Sequence, residues 1–169
     1  LDSIGEMERL AALARKSRVK IRAGIRLNNN PDGLWRKFGI PLDALEACFQ
    51  KSKSEKYLDL CGLQFHSSWN LNPSGQSDFI GILGRKLKKM PGDYLESLKF
   101  LDIGGGYWPP QGEWLISDNP IEHLRLPAAP IDHFAEVLTG SLKEHILSQT
   151  DCDIYMEPGR WICNDAMHI

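Results

Sequence analysis

Apolar residues fall along this chain in two alternating rhythms, one of helical step and one of strand step. Ser3 and Glu6 have the spacing of a capping box, in which a hydroxyl and a carboxylate satisfy the free amides of a helix start, and Met7, Leu10, Ala11 and Ala14 follow at helical intervals. A first helix is predicted there. Residues 19–27 then alternate, with Val19, Ile21, Ala23, Ile25 and Leu27 on one side, and run into Asn28, Asn29, Asn30, Pro31, Asp32 and Gly33, which predicts a strand ending in a loop. Pro41 at a first helical position leads Leu42, Leu45, Cys48 and Phe49 into a short second helix, and the lysine-rich tract behind it is expected to be solvated. Residues 57–66 form an apolar run of strand length broken by Ser67 and Ser68. Phe79, Ile82, Leu83, Lys86, Leu87 and Met90 repeat at three- and four-residue steps until Pro91 and Gly92 stop them. Residues 98–103 predict a strand entering Gly104, Gly105 and Gly106; Phe134, Val137, Leu138, Leu142 and Ile146 predict a helix; residues 153–156 predict a last strand entering Glu157, Pro158, Gly159 and Arg160.

Helix and strand therefore alternate four times, which implies parallel strands joined by right-handed crossovers and an α/β class. Residues 107–130 are rich in Pro and Trp without periodicity and are longer than most strand-to-helix connections, so they read as a functional loop or an insertion. Four such units are half of a closed (β/α)8 barrel, whose usual length is about 250 residues against 169 here, so a barrel would have part elsewhere.

Composition changes this picture little. With 42% hydrophobic and 25% charged residues the chain suits one ordinary globular domain, and a formal charge of −2 provides no general attraction for nucleic acid or an anionic membrane. No apolar run reaches the roughly 20 residues of a membrane span and no signal-peptide series opens the chain, so a cytoplasmic protein is expected. Cys48, Cys61, Cys152 and Cys163 lack any C-x-x-C pair; buried free thiols are expected rather than a zinc or redox site.

The chemistry collects where strands finish, the edge at which parallel α/β folds carry their active sites. Gly104, Gly105 and Gly106 either form a flexible turn or let backbone amides approach an anion. His66 is either an edge histidine or a catalytic one. Glu157 and Arg160 either pair with each other across a shaped turn, or the carboxylate binds a cationic ring nitrogen while the guanidinium faces a phosphate or a substrate carboxylate.

Read together, Leu1-Asp2-Ser3, Arg26-Leu27-Asn28, Lys37-Phe38-Gly39-Ile40, Gly62-Leu63-Gln64-Phe65-His66, Leu101-Asp102-Ile103-Gly104-Gly105-Gly106 and Glu157-Pro158-Gly159-Arg160 resemble, in order, the barrel domain of the fold-type III pyridoxal-phosphate decarboxylases, the ornithine/diaminopimelate/arginine decarboxylase group. The resemblance implies the second half of an alanine-racemase-like (β/α)8 TIM barrel, with residues 1–169 supplying about its last four strand–helix units. It implies pyridoxal 5'-phosphate as cofactor, a small basic or diamino amino acid as substrate, a homodimer, and a place in polyamine or lysine biosynthesis. His66 would stack on the cofactor ring, Glu157 would keep the ring nitrogen protonated, and Ser68, Gly104, Gly105, Gly106, Gly159 and Arg160 would hold the phosphate. Asp102 could orient the glycine loop or pack under the barrel.

Two departures qualify that expectation. The family commonly follows its histidine with a glycine and then a phosphate-binding serine, whereas Ser68 and Trp69 stand there here, so that contact moves to Ser67 or Ser68 or is lost. The lysine that bonds the cofactor lies on the family's first barrel strand, and no lysine of this chain matches its motif; the C-terminal β-domain is likewise expected outside residues 1–169. The segment alone is expected to be inactive within a carboxy-lyase parent. A non-catalytic homologue acting by binding, and a racemase or dehydratase on the same fold, are the alternatives.

Overall fold

The computed structural model describes residues 1–33, 36–115, 124–164 and 166. Helix α1 (Ile4–Ser17) opens on the predicted cap: Ser3 Oγ accepts the Glu6 amide at 3.1 Å, and Glu6 Oε2 in turn accepts the Asp2 amide at 2.6 Å. Strand β1 (Ile21–Arg26) follows, then a 3-10 turn (Leu42–Ala44) that leads directly into α2 (Leu45–Ser54). The lysine tract thus forms the last turn of α2, where Lys51 pairs with Glu8 of α1 and Lys53 with Asp93, so it is paired as well as partly solvated. Strand β2 (Leu58–Gln64) and α3 (Ser74–Leu87) come next. Beyond Pro91 the chain makes a further short helix, α4 (Gly92–Ser97), which the proline-glycine stop signal conceals. Strand β3 (Phe100–Gly105) extends through two of the three glycines, and α5 (Ile131–His145), β6 (Asp153–Glu157) and α6 (Gly159–Cys163) complete the order.

The stretch 107–130 is not featureless: Glu113–Leu115 (β4) and Leu124–Leu126 (β5) pair antiparallel.

Strands β1, β2, β3 and β6 form one parallel sheet in that order, as the alternation of elements requires. Ile25, Leu63 and Leu101 are in register across three strands and, with Ile103, are fully buried under the helices. They share one core with Met7 and Ala11 of α1, Leu45 and Phe49 of α2, Ile80 and Leu83 of α3, and Phe134 and Leu138 of α5. Burying that many aliphatic and aromatic side chains, at about 1.5–3 kcal/mol each, is what fixes the helices to one face. Ile82 departs from the predicted stripe: it is exposed, and Gly81 and Gly84 take the helix–helix contact instead, with Gly84 packed against His145.

On the opposite face Gly24, Gly62 and Phe100 lie in register, and the Phe100 ring lies across both glycines, where a Cβ at Gly62 would come within 2.0 Å of it. Tyr155 packs edge-on to the same ring at 5.6 Å. This face carries the site.

All four cysteines are free; Cys48 and Cys61 are buried as expected, Cys152 is half-buried, and Cys163 is exposed, contrary to expectation. Burial raises the Cys48 and Cys152 thiols above the ordinary range, which keeps them protonated and inert.

Candidate active site

The C-terminal ends of β2, β3 and β6 bring three loops together. Between Asp102 and Gly105 strand β3 has one residue more than β6 opposite it, and Gly104, at φ +71°, supplies the left-handed turn of that bulge. A Cβ at Gly104 would meet Phe65 O at 2.3 Å, one at Gly105 would meet Glu157 O at 1.9 Å, and one at Gly106, φ +77°, would meet Ser67 O at 2.0 Å. The triplet is therefore required first by the close approach of three backbones. Its amides are not equivalent either. Gly104 N–H donates to Asp102 Oδ1 at 2.8 Å and Gly105 N–H to His66 Nδ1 at 3.2 Å.

Behind the glycines stand polar side chains that periodicity alone does not distinguish. Gln76, fully buried, donates through Nε2 to Ile103 O at 3.0 Å and to the Tyr107 hydroxyl at 3.3 Å. Tyr107, also fully buried, donates to Gly104 O, and Asn70 donates to Gly105 O at 2.6 Å and Ser67 O at 3.2 Å. The available signal was Gln76 itself, a polar residue one helical turn before Ile80 on the buried stripe of α3. These bonds hold the glycine turn rigid from below.

His66 and Glu157 meet: Nδ1 of the imidazole lies 2.9 Å from Oε2 of the carboxylate. Gly105 N–H and the carboxylate converge on the same ring nitrogen, and only one can be served at a time. An Nδ1 without a proton accepts from Gly105; an Nδ1 bearing one donates to Glu157. On its other side Glu157 neighbours Asp102, whose carboxyl feels its charge. Burial pushes the Asp102 carboxyl up, the Gly104 amide and His66 pull it down, and the neighbouring Glu157 charge raises it further, so the net direction is upward.

The alternative in which Glu157 and Arg160 pair across their turn is not adopted. Glu157 is engaged by His66, and Arg160 lies with its guanidinium carbon 4.4 Å from the Trp108 ring centroid and 5.7 Å from that of Trp69. Trp69, in the serine's expected place, is 53% exposed. Ser67 Oγ accepts from Asn29 at 2.6 Å, and Ser68 lines two adjoining cavities with His66, one of about 380 Å³ that also takes in Arg26, Gln64 and Glu157. Of the predicted residues, then, His66, Ser68, Glu157 and Gly104 to Gly106 come together directly, and Gly159 and Arg160 adjoin them in the turn after β6.

A carboxylate, an imidazole and a guanidinium with no carboxylate partner among the described residues, at the C-terminal edge of a parallel sheet, are the groups with which a barrel enzyme binds a cofactor that is basic at its ring and anionic at its tail. The fold matches solved barrel decarboxylases: diaminopimelate decarboxylase from Helicobacter pylori, in complex with L-lysine, superposes at a TM-score of 0.72 with 20% identity over 94% of this chain and 39% of that one. Lysine decarboxylase from Selenomonas ruminantium superposes at 0.67 with 21% identity over 96% of this chain and 39% of that one. The profile of the pyridoxal-dependent decarboxylases, pyridoxal binding domain, matches residues 1–164, and the chain belongs to that family, whose cofactor is pyridoxal 5'-phosphate. Among curated relatives it is 29% identical over 117 residues to diaminopimelate decarboxylase of Campylobacter jejuni and 26% identical over 173 residues to ornithine decarboxylase of Neurospora crassa. It spans 29% and 30% of the lengths of those two proteins.

The residues present fit that cofactor. Glu157 offers a 45% exposed carboxylate to a ring nitrogen, Arg160 meets no carboxylate among the described residues, and a Cβ at Gly159 would enter open space. Among the described residues no group of three His, Cys, Asp or Glu side chains could hold a metal ion, and no helix is long and apolar enough to cross a membrane.

Proposed function

We propose that this chain is the ring- and phosphate-binding part of a cytoplasmic, homodimeric enzyme that decarboxylates a basic or diamino amino acid. The observation that carries the reading is the Glu157 carboxylate at the end of β6, 2.9 Å from His66 and in contact with Asp102. When bound, pyridoxal phosphate accepts the electrons left on the substrate as carbon dioxide departs, most strongly when its ring nitrogen is protonated. Glu157 holds the proton at that nitrogen. His66 bears on the ring and exchanges its Nδ1 partner between Glu157 and the Gly105 amide, which frees the carboxylate for the cofactor. Asp102, inclined to the neutral form, puts less competing charge beside Glu157. Ser68, the turn of Gly104 to Gly106, Gly159 and Arg160 would take the phosphate. The diamino compounds in the names of the relatives support the substrate class.

The test is titration of the full-length protein with pyridoxal phosphate, borohydride reduction and mapping of the labelled lysine. A new visible absorption band and a label outside residues 1–169 are expected; no spectral change and no label would leave a homologue that acts by binding something else. Glu157→Ala is expected to lower turnover by about 100-fold or more, a typical worth for a positioned acid–base group, with a smaller loss of cofactor affinity. Unchanged turnover would remove Glu157 from the chemistry.

A further inference from the structure

The Arg160 guanidinium is held by two aromatic faces where a salt bridge would be the ordinary solution. Trp108 approaches it to 4.4 Å and Trp69 to 5.7 Å, both within the roughly 6 Å over which a ring quadrupole attracts a cation. The two indoles come from different loops, after β3 and after β2, and those loops are tied together. Asn70 N–H donates to Gly106 O at 3.0 Å and Trp108 N–H to Asn70 O at 3.2 Å, so the residue next to Trp69 is bonded to Trp108 itself. The Asn70 side chain adds its bond to Gly105 O. The tryptophan pair is thus built on the same ladder as the glycine turn, and Arg160 of the third loop rests against it.

The two ways of fixing a guanidinium differ in what they leave over. A carboxylate partner would occupy two of its N–H donors and cancel its charge; an aromatic face uses neither, since it attracts the cation through the flat face and leaves the in-plane fork open. We propose that Trp69 and Trp108 are positioning residues for anion recognition, their indole faces holding the Arg160 guanidinium so that its N–H fork is kept for the cofactor phosphate. The proposal rests on the reading of the site as a pyridoxal-phosphate site.

The experiment compares dissociation constants for pyridoxal phosphate and for pyridoxal, which lacks the phosphate, in the full-length protein and in Trp108→Leu, Trp108→Phe and Trp69→Leu variants, read by the absorption of the bound aldehyde. Trp108→Leu is expected to weaken pyridoxal phosphate about tenfold while leaving pyridoxal unchanged, Trp108→Phe to recover part of that loss because a ring face remains, and Trp69→Leu to act in the same sense by a few-fold, as its longer distance implies. Trp69 is exposed, so its variant tests the idea even if the Trp108 variants fail to fold. Equal weakening of both ligands, or no weakening, would overturn the proposal while leaving the cofactor site standing. Failure of the unaltered protein to bind pyridoxal phosphate would overturn both.

Discussion

Asp102 sits where opposed influences meet: an amide bond that favours its charge, and burial beside a second carboxylate that disfavours it. Its folded-state pKa lies above the ordinary value of 3.8, so the stability it contributes is fully present below that value and is lost as pH rises through the raised one. Asp102→Asn keeps an oxygen for the Gly104 amide, offers an N–H to Glu157 and does not titrate. Relative to the unaltered protein it is expected to gain stability as pH rises above about 4 and to show no gain at lower pH, by about 1 kcal/mol or less because the group is partly solvated. Urea unfolding across that pH range checks this, and a difference independent of pH would reduce Asp102 to a holder of the loop. At this scale the sequence was legible for single residues and silent on their partners. His66, Glu157 and Arg160 stand out as reactive types at strand ends, but that Glu157 turns to His66 and Asp102, and Arg160 to two indoles, depends on contacts between positions 91, 55, 91 and 52 residues apart in the chain, which no local pattern carries.

Among the elements, the junction of β3 and β6 shows why two glycines of similar appearance differ in kind. Gly105→Ala would force a Cβ to within 1.9 Å of the Glu157 carbonyl, so the strands must part, at a cost of about 3 kcal/mol or more; Gly159→Ala meets nothing within 4 Å and exchanges a poor helix former for a good one, changing stability by less than about 1 kcal/mol. Unfolding midpoints of the two variants should separate accordingly, and equal midpoints would contradict the strand contact. Helices α1, α3 and α5 were legible because a single apolar stripe decides each one, and β2 and β3 because they are buried apolar runs. Helix α4 was not: its six residues bury one side chain, Tyr94, too little for a period to appear. The pair β4 and β5 was hidden for a related reason, being three residues each and stabilised by pairing with each other. Ile82 misled because glycine, which contributes nothing to a hydrophobic pattern, occupies the contact face of α3.

For the molecule as a whole, the two ends of the sheet differ: the outer edge of β1 is bonded by Leu1 and Ile40, whereas β6 has no further strand beside it among the described residues and exposes Tyr155 and Met156 on a strand of five residues. Such an edge with apolar side chains is a template for further strands. Residues 1–169 expressed by themselves are expected to associate with increasing concentration, as sedimentation velocity would detect, and a monomer at all concentrations would mean that the edge is protected in some other way. The inner face of the same sheet makes a different kind of demand. Because the Phe100 ring rests on the bare backbones of Gly24 and Gly62, the floor below the site is made by one large residue and two absent side chains that fit only as a set. Positions 24, 62 and 100 are thereby one unit of inheritance: a lineage that acquires a methyl at 62 must shed bulk at 100 in the same step or through a weakened ancestor, and related sequences should keep the three together or exchange them together.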